Sequence, residues 1–180
     1  MKYPGFEYVE KRIRKRSFGI IGTVDSKNRP HTTGVLYGVA PREYPFMIYV
    51  LTGAKYKKTR NLRRNPNVSF VIPFPHHWLR FIPDYVVQFQ GSARIVPLDH
   101  EIAVAAFQDK WILRGNIDMA EKLQNPETGE EAVFIEIRPN KKIHVFGLGI
   151  SMRTMLSDVE QGAYTVEIPD DRWASPVVPQ

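Results

Sequence analysis

The apolar residues of this chain lie in short runs that are separated by turn-forming residues. Runs of this length, bounded by Gly, Pro, Asn and Asp, are typical of β-strands. Strands are predicted at 18–24, 31–39, 46–51, 67–73, 85–96, 133–137 and 143–147, with a further one at 163–168. Because most neighbouring runs are joined by short turns, we predict an antiparallel arrangement of at least six strands.

Helical spacing appears in only a few places. Phe6, Val9 and Ile13 predict an amphipathic helix over 6–16, with basic residues on its solvent side. A second helix is expected after Asp99, which can cap it, and a third over 116–123. The apolar side of the second helix comprises Ile102, Val104, Ala105, Phe107 and Trp111.

Few helices interrupt the predicted strands, which favours a closed or nearly closed β-barrel with flanking helices. Gly91 predicts a β-bulge in the long strand, while Gly34 and Gly38 predict either a bulge or close packing against another backbone. We expect one domain over 1–150 and a tail, 151–180, that packs on the barrel or on a partner subunit.

Composition narrows the functional classes. The net charge of +6 over 180 residues fits a phosphorylated ligand better than a nucleic acid. The chain has no cysteine, which excludes disulfides and thiolate chemistry. No apolar run reaches the roughly 18 residues of a membrane span, and no signal peptide is evident at the start. We therefore expect a cytoplasmic protein that binds neither nucleic acid nor membrane.

The segment 52–66 carries the clearest chemistry. It begins with Thr52 and Gly53 at the end of a buried strand and contains six basic residues and no acidic one. The basic residues are Lys55, Lys57, Lys58, Arg60, Arg63 and Arg64. A hydroxyl, a glycine that allows close approach and several cations together suit a phosphate group. A solvated basic helix is the alternative interpretation.

Aromatic and histidine residues elsewhere in the chain offer two further candidate sites. Trp78, in the Pro- and aromatic-rich loop 74–83, is a candidate for stacking on a flat ring or for packing in a subunit interface. A metal site is disfavoured, because the adjacent His76 and His77 point in opposite directions on an extended chain. The other histidines are His31, His100 and His144.

The chain resembles the pyridoxamine 5′-phosphate oxidase-like, FMN-binding split-barrel family over about residues 6–148. The most specific match is Asn61-Leu62-Arg63-Arg64-Asn65-Pro66-Asn67-Val68-Ser69. The hairpin from Thr23 to Thr33 and the strand segment Phe89 to Arg94 support it. The resemblance implies a mainly β fold, an antiparallel split β-barrel of Greek-key type with flanking α-helices, and a homodimer with the cofactor between its subunits.

The same resemblance implies that the FMN phosphate lies against Thr33, Thr52, Lys57 and Lys58. The candidate cofactor-binding set is therefore Thr33, Thr52, Gly53, Tyr56, Lys57, Lys58, Asn61 and Trp78. The pyridoxamine phosphate oxidases proper carry Arg at the position of Thr33 and Ser-Arg-Lys at Tyr56-Lys57-Lys58. No residue stands out as catalytic.

The resulting hypothesis is an FMN-dependent oxidoreductase that acts on an unknown small molecule. A deazaflavin-coenzyme-dependent reductase is a variant in which Arg60, Arg63 and Arg64 would hold a longer tail. A non-catalytic flavin-binding module is the alternative from another class, and a few members of the family bind haem. The sequence identifies neither the substrate nor the direction of the reaction.

Overall fold

The computed structural model describes residues 3–75, 84–124 and 131–177. Within these ranges it has eight strands and five α-helices. The strands are β1 Phe18–Val24, β2 Pro30–Val39, β3 Ile48–Gly53, β4 Asn67–Phe74, β5 Tyr85–Pro97, β6 Ala132–Pro139, β7 Lys142–Phe146 and β8 Ala163–Glu167. The helices are α1 Phe6–Arg14, α2 Lys57–Leu62, α3 Glu101–Gln108, α4 Trp111–Leu123 and α5 Met152–Ser157.

All strand pairs are antiparallel, in the order β4-β1-β2-β3-β6-β5-β7-β8, and β4 also pairs with β5. That last pairing closes six strands into a barrel. The long strand β5 pairs with β7 near its start, at Val86–Gln88, and with β6 towards its end, at Gly91–Pro97. The barrel therefore splits along β5, and the predicted mainly β, antiparallel split barrel with flanking helices is confirmed.

Two apolar clusters hold the barrel and its helices together. The larger one fills the barrel and includes Ile21, Phe70 and Phe89. The smaller one lies outside the barrel, where α3 and α4 cover β3 and β6 with Phe107 and Phe134 in edge-to-face contact. Phe107 is fully buried, in agreement with its predicted place on the apolar side of the second helix.

Close packing of α3 on β2 explains one of the glycines. A Cβ atom on Gly38 would lie 2.6 Å from the carbonyl oxygen of Ala106, so only glycine fits there. The predicted bulge at Gly91 is wrong, because the register with β4 and β6 runs through it without an extra residue. A Cβ on Gly91 would instead collide with the Arg138 carbonyl.

The helix predictions need two corrections. His100, not Asp99, caps α3, and its Nδ1 accepts a hydrogen bond of 3.4 Å from the Ala103 amide. The chain also breaks after α3, so that Trp111 begins α4 instead of ending the preceding helix. The residues after α4, Asn125-Pro126-Glu127-Thr128-Gly129, have the composition of a turn, and they lie outside the described residues.

The C-terminal segment contacts the barrel at several points. The Trp173 indole donates to the Pro139 carbonyl at 3.0 Å, and the Val177 amide donates to the Ser92 hydroxyl at 2.7 Å. Arg172 reaches the buried carboxylate of Glu10 on α1 at 2.9 Å. No helix of the described ranges has the length and apolar composition needed to cross a membrane.

Candidate functional site

A cavity of about 590 Å³ lies where β3 ends and the chain turns into α2. Its floor is formed by β2 and β3, and α4 forms the opposite wall. The lining residues are Gly34, Val35, Leu36, Leu51, Thr52, Gly53, Ala54, Lys55, Tyr56, Lys58, Phe107, Asn116, Met119, Ala120, Glu131 and Ala132. Cofactor sites typically occupy roughly 300–1,000 Å³ and combine apolar walls with a few polar groups, as this cavity does.

Thr52 and Lys58 make the cavity unusual. The Thr52 hydroxyl is buried and has no hydrogen-bond partner among the described residues. The Lys58 side chain is also buried, and burial lowers the pKa of its ammonium group. The Lys58 Nζ atom lies over the ring of Tyr56, 5.0 Å from its centroid. Buried polar groups normally have partners, so these two groups are suited to an anionic ligand.

Local hydrogen bonds hold this end of the cavity in shape. The Thr59 hydroxyl donates to the Gly53 carbonyl at 2.9 Å, which ties the start of α2 to the end of β3. The Asn61 amide donates to the Thr23 hydroxyl at 2.9 Å, which ties α2 to β1. Both side chains are buried. Asn61 thus positions α2 and lies outside the cavity wall.

The remaining sequence candidates are placed differently. Gly53 and Tyr56 line the cavity, whereas Lys57 and Thr33 do not. Lys57 is exposed, and its Nζ lies 4.0 Å from the Asp25 carboxylate, whose pKa is held low chiefly by a hydrogen bond from Arg29. Trp78 and the loop residues 76–83 lie outside the described residues, so its predicted stacking role stays a prediction.

Sequence reasoning missed the wall that faces the basic segment. Leu36 on β2 and Asn116 and Met119 on α4 line the cavity, although they are distant from residue 58 in the chain. Only the apolar spacing over 116–123 signalled a helix there. Nothing in that spacing indicated which strand the helix would cover, since this depends on the packing of Phe107 and Phe134.

A second groove, of about 630 Å³, lies on the outer side of β5, β7 and β8. Gln88, His144 and Thr165 occupy one cross-strand row of its floor. The Thr165 hydroxyl lies 3.2 Å from His144 Nδ1, which fixes the orientation of the imidazole. Within the ranges 3–75, 84–124 and 131–177, no three His, Cys, Asp or Glu side chains converge to hold a metal ion.

A third polar site is buried but fully paired. Glu136 on β6 accepts hydrogen bonds from Arg94 at 2.8 and 3.0 Å and from Arg138 at 2.7 Å. The Tyr49 hydroxyl donates to it at 3.1 Å, and His100 Nε2 lies 3.8 Å away. Burial would raise the pKa of Glu136, but the hydrogen bonds from the two arginines outweigh it and hold the pKa low.

The residues of the first cavity fit a phosphorylated planar cofactor. Within the part of the chain that the structure describes, the Thr52 hydroxyl and the Lys58 cation have no other partner and can both donate to a phosphate, and Gly53 leaves room for close approach. Leu36, Met119 and Ala120 supply apolar surface next to them for a ring system. The second groove offers an imidazole, an amide and a hydroxyl but no lysine or arginine along its lining.

Solved structures of the same fold include proteins that are named for binding haem and for binding FMN. The haem storage protein HutZ from Vibrio cholerae superimposes with a TM-score of 0.63 and 23% identity, over 81% of this chain and 98% of that one. A haem-binding protein from Mycobacterium smegmatis gives 0.61 and 17%, over 93% of this chain and 60% of the other. At these identities the likeness concerns the fold.

An FMN-binding, pyridoxamine 5′-phosphate oxidase-related protein from Nostoc punctiforme gives a TM-score of 0.54 at 11% identity, over 93% of this chain and 98% of that one. The match of the sequence to a family model is stronger evidence for the family than these structural similarities. The family model for pyridoxamine 5′-phosphate oxidase matches residues 7–145, which include the barrel strands and the whole basic segment. The chain therefore belongs to the pyridoxamine 5′-phosphate oxidase family.

Proposed function

We propose that this protein is an FMN-dependent oxidoreductase whose cofactor occupies the cavity between β3, α2 and α4. The observation that carries the proposal is that one cavity is lined by the Thr52 hydroxyl and by Lys58, neither of which has a hydrogen-bond or ion-pair partner among the described residues. A phosphate dianion would accept hydrogen bonds from both and relieve the desolvation of each. Membership of the family and the FMN-binding neighbour support the same cofactor.

In this proposal the protein binds and orients the flavin and its substrate, and the flavin carries out the transfer of a hydride or of electrons. Lys58 and Thr52 fix the phosphate end, and Leu36, Met119 and Ala120 exclude water from one side of the ring. Tyr56 closes the cavity next to Lys58. The substrate would be a small molecule, and the functional unit a homodimer, as expected from the resemblance.

The test is a binding titration of FMN against riboflavin, which lacks the phosphate. Lys58→Met should weaken FMN binding roughly tenfold to a hundredfold, since a hydrogen bond to a charged group contributes about 1.5–3 kcal/mol. The same substitution should leave riboflavin affinity almost unchanged. Lys57→Met is the matched control, because Lys57 is exposed, faces Asp25 and does not line the cavity.

Equal affinities for FMN and riboflavin in the wild type would place the phosphate elsewhere. An equal effect of the two lysine substitutions would show that general positive charge, not the buried site, attracts the cofactor. Turnover with reduced nicotinamide and an artificial acceptor distinguishes the oxidoreductase from a non-catalytic flavin-binding module. An absorption spectrum distinguishes FMN from a deazaflavin coenzyme.

Haem binding is a second candidate, supported by two neighbours of this fold that are haem proteins. The groove on β5, β7 and β8 presents His144, whose Nδ1 is already oriented by Thr165. Hemin titration of the wild type and of His144→Ala, followed at the Soret band, tests it. The exposed imidazole would be the iron ligand, so a band unchanged by the substitution argues against this site.

A further inference from the structure

The strand β8, Ala163–Glu167, lies at the edge of the sheet and follows a short 3-10 turn, Val159–Gly162. Each of the other seven described strands has a neighbour on both sides, because β4 pairs with β5 and β7 lies between β5 and β8. Within the described ranges, β8 pairs with β7 alone. An edge strand presents unpaired backbone groups, which can bind a further strand.

The register with β7 shows which backbone groups of β8 are unpaired. The Gly147 amide donates to the Gly162 carbonyl at 2.9 Å, and in an antiparallel ladder every second residue from there bonds to the neighbouring strand. The backbone groups of Ala163, Thr165 and Glu167 therefore point away from β7. The Ala163 amide is used within the preceding 3-10 turn. The Ala163 carbonyl and both backbone groups of Thr165 and Glu167 have no backbone partner in the described chain.

The side chains of β8 leave this edge open. Natural edge strands are commonly protected by a lysine, a proline or a bulge, and β8 contains none of these. The exposed side chains of Ala163 and Thr165 are small, while Tyr164 and Val166 are buried in the larger apolar cluster. The buried pair fixes the strand in place, and tyrosine, threonine and valine favour extended backbone.

The charge around this edge is negative. Between residues 154 and 171 the chain has five carboxylates and no lysine or arginine, although the whole protein carries a net charge of +6. Glu167 and Asp170 lie next to lysines at the start of β7. Glu160 and Asp171, near the two ends of the strand, are exposed and have no ion-pair partner in the described chain. A ligand of this edge is therefore expected to carry positive charge at both ends.

The groove of about 630 Å³ on the outer side of β5, β7 and β8 runs beside the same edge. Ala163 and Thr165 belong to its lining, and Thr165 ends the cross-strand row that begins with Gln88 and His144. A strand added to β8 would continue this row, so that its alternate side chains lie at the open side of the groove. The described lining includes the carboxylate of Asp84 and neither lysine nor arginine, which suits a polar or cationic side chain.

We propose that β8 binds an extended segment of another protein, which adds a strand to the sheet and carries lysine or arginine at its two ends. Backbone hydrogen bonds to Thr165 and Glu167 hold the added strand, and the flanking carboxylates select basic residues. A second copy of β8 fits less well, because antiparallel pairing centred on Thr165 brings Glu160 of one copy towards Asp170 of the other. No residue of β8 lines the cofactor cavity, so the inference does not depend on the proposed function.

Fluorescence anisotropy with three labelled peptides tests the proposal on the unaltered protein. The basic probe is Lys-Lys-Val-Thr-Val-Thr-Val-Lys-Lys, and the acidic probe has glutamate in place of each lysine. The third probe, Lys-Lys-Val-Pro-Pro-Thr-Val-Lys-Lys, keeps the charge but lacks one amide donor on each edge of the peptide. The basic probe should bind about tenfold more tightly than either of the others, since it alone combines the charge with a complete set of donors.

Thr165→Pro removes the outward amide of β8 without removing a hydrogen bond to β7, and Thr165→Val is the matched variant that keeps the amide. The proline variant should bind the basic probe about tenfold more weakly, and the valine variant should bind it like the wild type. Glu160→Gln with Asp171→Asn should weaken binding several-fold. Its control, Glu43→Gln with Asp118→Asn, removes two exposed carboxylates outside β8 and its flanking turns and should have no effect.

Three results would overturn the proposal. They are equal affinity for the three probes, no binding of the basic probe, and wild-type affinity in a Thr165→Pro protein whose circular dichroism is native. If Thr165→Pro does not fold, the proline-containing probe and the carboxylate variants still decide the question. Sedimentation velocity examines the other occupant. A wild-type assembly that Thr165→Pro dissociates, without binding of the basic probe, would show that a second copy covers the edge and that the proposal is wrong.

Discussion

Two buried polar sites lie close to β3, and they differ in whether their polar groups have hydrogen-bond partners within the described chain. The carboxylate of Glu136 is surrounded by Arg94, Arg138 and Tyr49, and each of its oxygens is hydrogen-bonded. The hydroxyl of Thr52 and the ammonium group of Lys58 have no such partners within the described chain. Burial of a polar group is tolerable only with compensation, so the first site is structurally complete, whereas we propose that the phosphate of the cofactor supplies the compensation at the second.

This difference distinguishes a buried charge that stabilises the fold from one that we propose binds a ligand. Composition alone cannot distinguish the two. The Glu136 cluster joins β3, β5 and β6 beneath the start of α3, and its removal should affect folding. The Thr52–Lys58 pair faces a cavity, and its removal should affect binding while leaving folding intact or improved.

Removal of Glu136 should have the largest effect. Glu136→Ala leaves two arginines without their common partner, and breaking a buried pair in this way costs about 3–5 kcal/mol. We expect the lower end, about 3 kcal/mol, because the Arg94 side chain is about half exposed and water can solvate it. Urea unfolding measures the change. FMN affinity of the folded fraction should stay at the wild-type value.

A suitable control is Glu167→Ala, which removes an exposed pair with Lys142 at 3.9 Å. Exposed pairs contribute little, so the unfolding free energy should hardly change. If Glu136→Ala unfolds at the same urea concentration as this control, the Glu136 cluster is not structural. The comparison between a structural cluster at Glu136 and a binding site at Thr52 and Lys58 would then have no basis.

Thr52 and Thr59 lie on either side of the turn between β3 and α2. Loss of their hydroxyls should change the folding stability in opposite directions. Thr59→Val removes a hydroxyl that donates to the Gly53 carbonyl and should cost about 1 kcal/mol of folding stability. Thr52→Val removes a buried hydroxyl that has no partner in the described chain, so stability should rise or stay unchanged. Thermal unfolding without cofactor compares the two variants.

In an FMN titration, Thr52→Val should be the variant with the larger effect, in contrast to the effect on folding stability. Thr52→Val should weaken FMN binding by several-fold, because the phosphate loses a donor, whereas Thr59→Val should do so only as far as it disturbs the turn at Gly53. A loss of stability in Thr52→Val equal to that of Thr59→Val would mean that the Thr52 hydroxyl already has a structural partner.

The sequence predicted the barrel well and the cavity in part, for physical reasons. Strand positions followed from apolar runs such as 67–73 and 85–96, and burial on the barrel interior explains why that signal is strong. The strand-end threonine and the basic turn followed from the chemistry of a phosphate. The family match placed these residues in a known fold, and the structure puts Thr52, Gly53, Tyr56 and Lys58 around one cavity.

What the sequence missed depends on contacts between distant segments. The α4 wall of the cavity, with Asn116 and Met119, is set by packing against β3 and β6. Lys57 and Lys58 are adjacent and chemically alike, yet one is exposed beside Asp25 and the other is buried. The hydrophobic pattern of the sequence cannot predict which of the two lysines is buried, because a helix of six residues is too short to establish an amphipathic period.

The smallest effect is expected for Lys58 on the stability of the cofactor-free protein, since the cavity gives its ammonium group some access to water. Burial lowers the pKa of the Lys58 ammonium group below that of an ordinary lysine. In the pH range between the folded pKa and that of the unfolded chain, the unfolded state binds more protons, so stability rises with pH there. Below this range the full cost of the buried charge is present.

Lys58→Met should therefore be more stable than the wild type at neutral pH without cofactor, and the difference should shrink as the pH approaches 10.5. With saturating FMN at neutral pH the order should reverse, because the phosphate compensates the wild-type charge and adds binding free energy. Thermal unfolding across this pH range, with Lys57→Met as the exposed reference, measures both effects. A Lys58→Met protein less stable than the wild type at neutral pH without cofactor would mean that Lys58 is already paired. It would then belong with Glu136 among the structural charges.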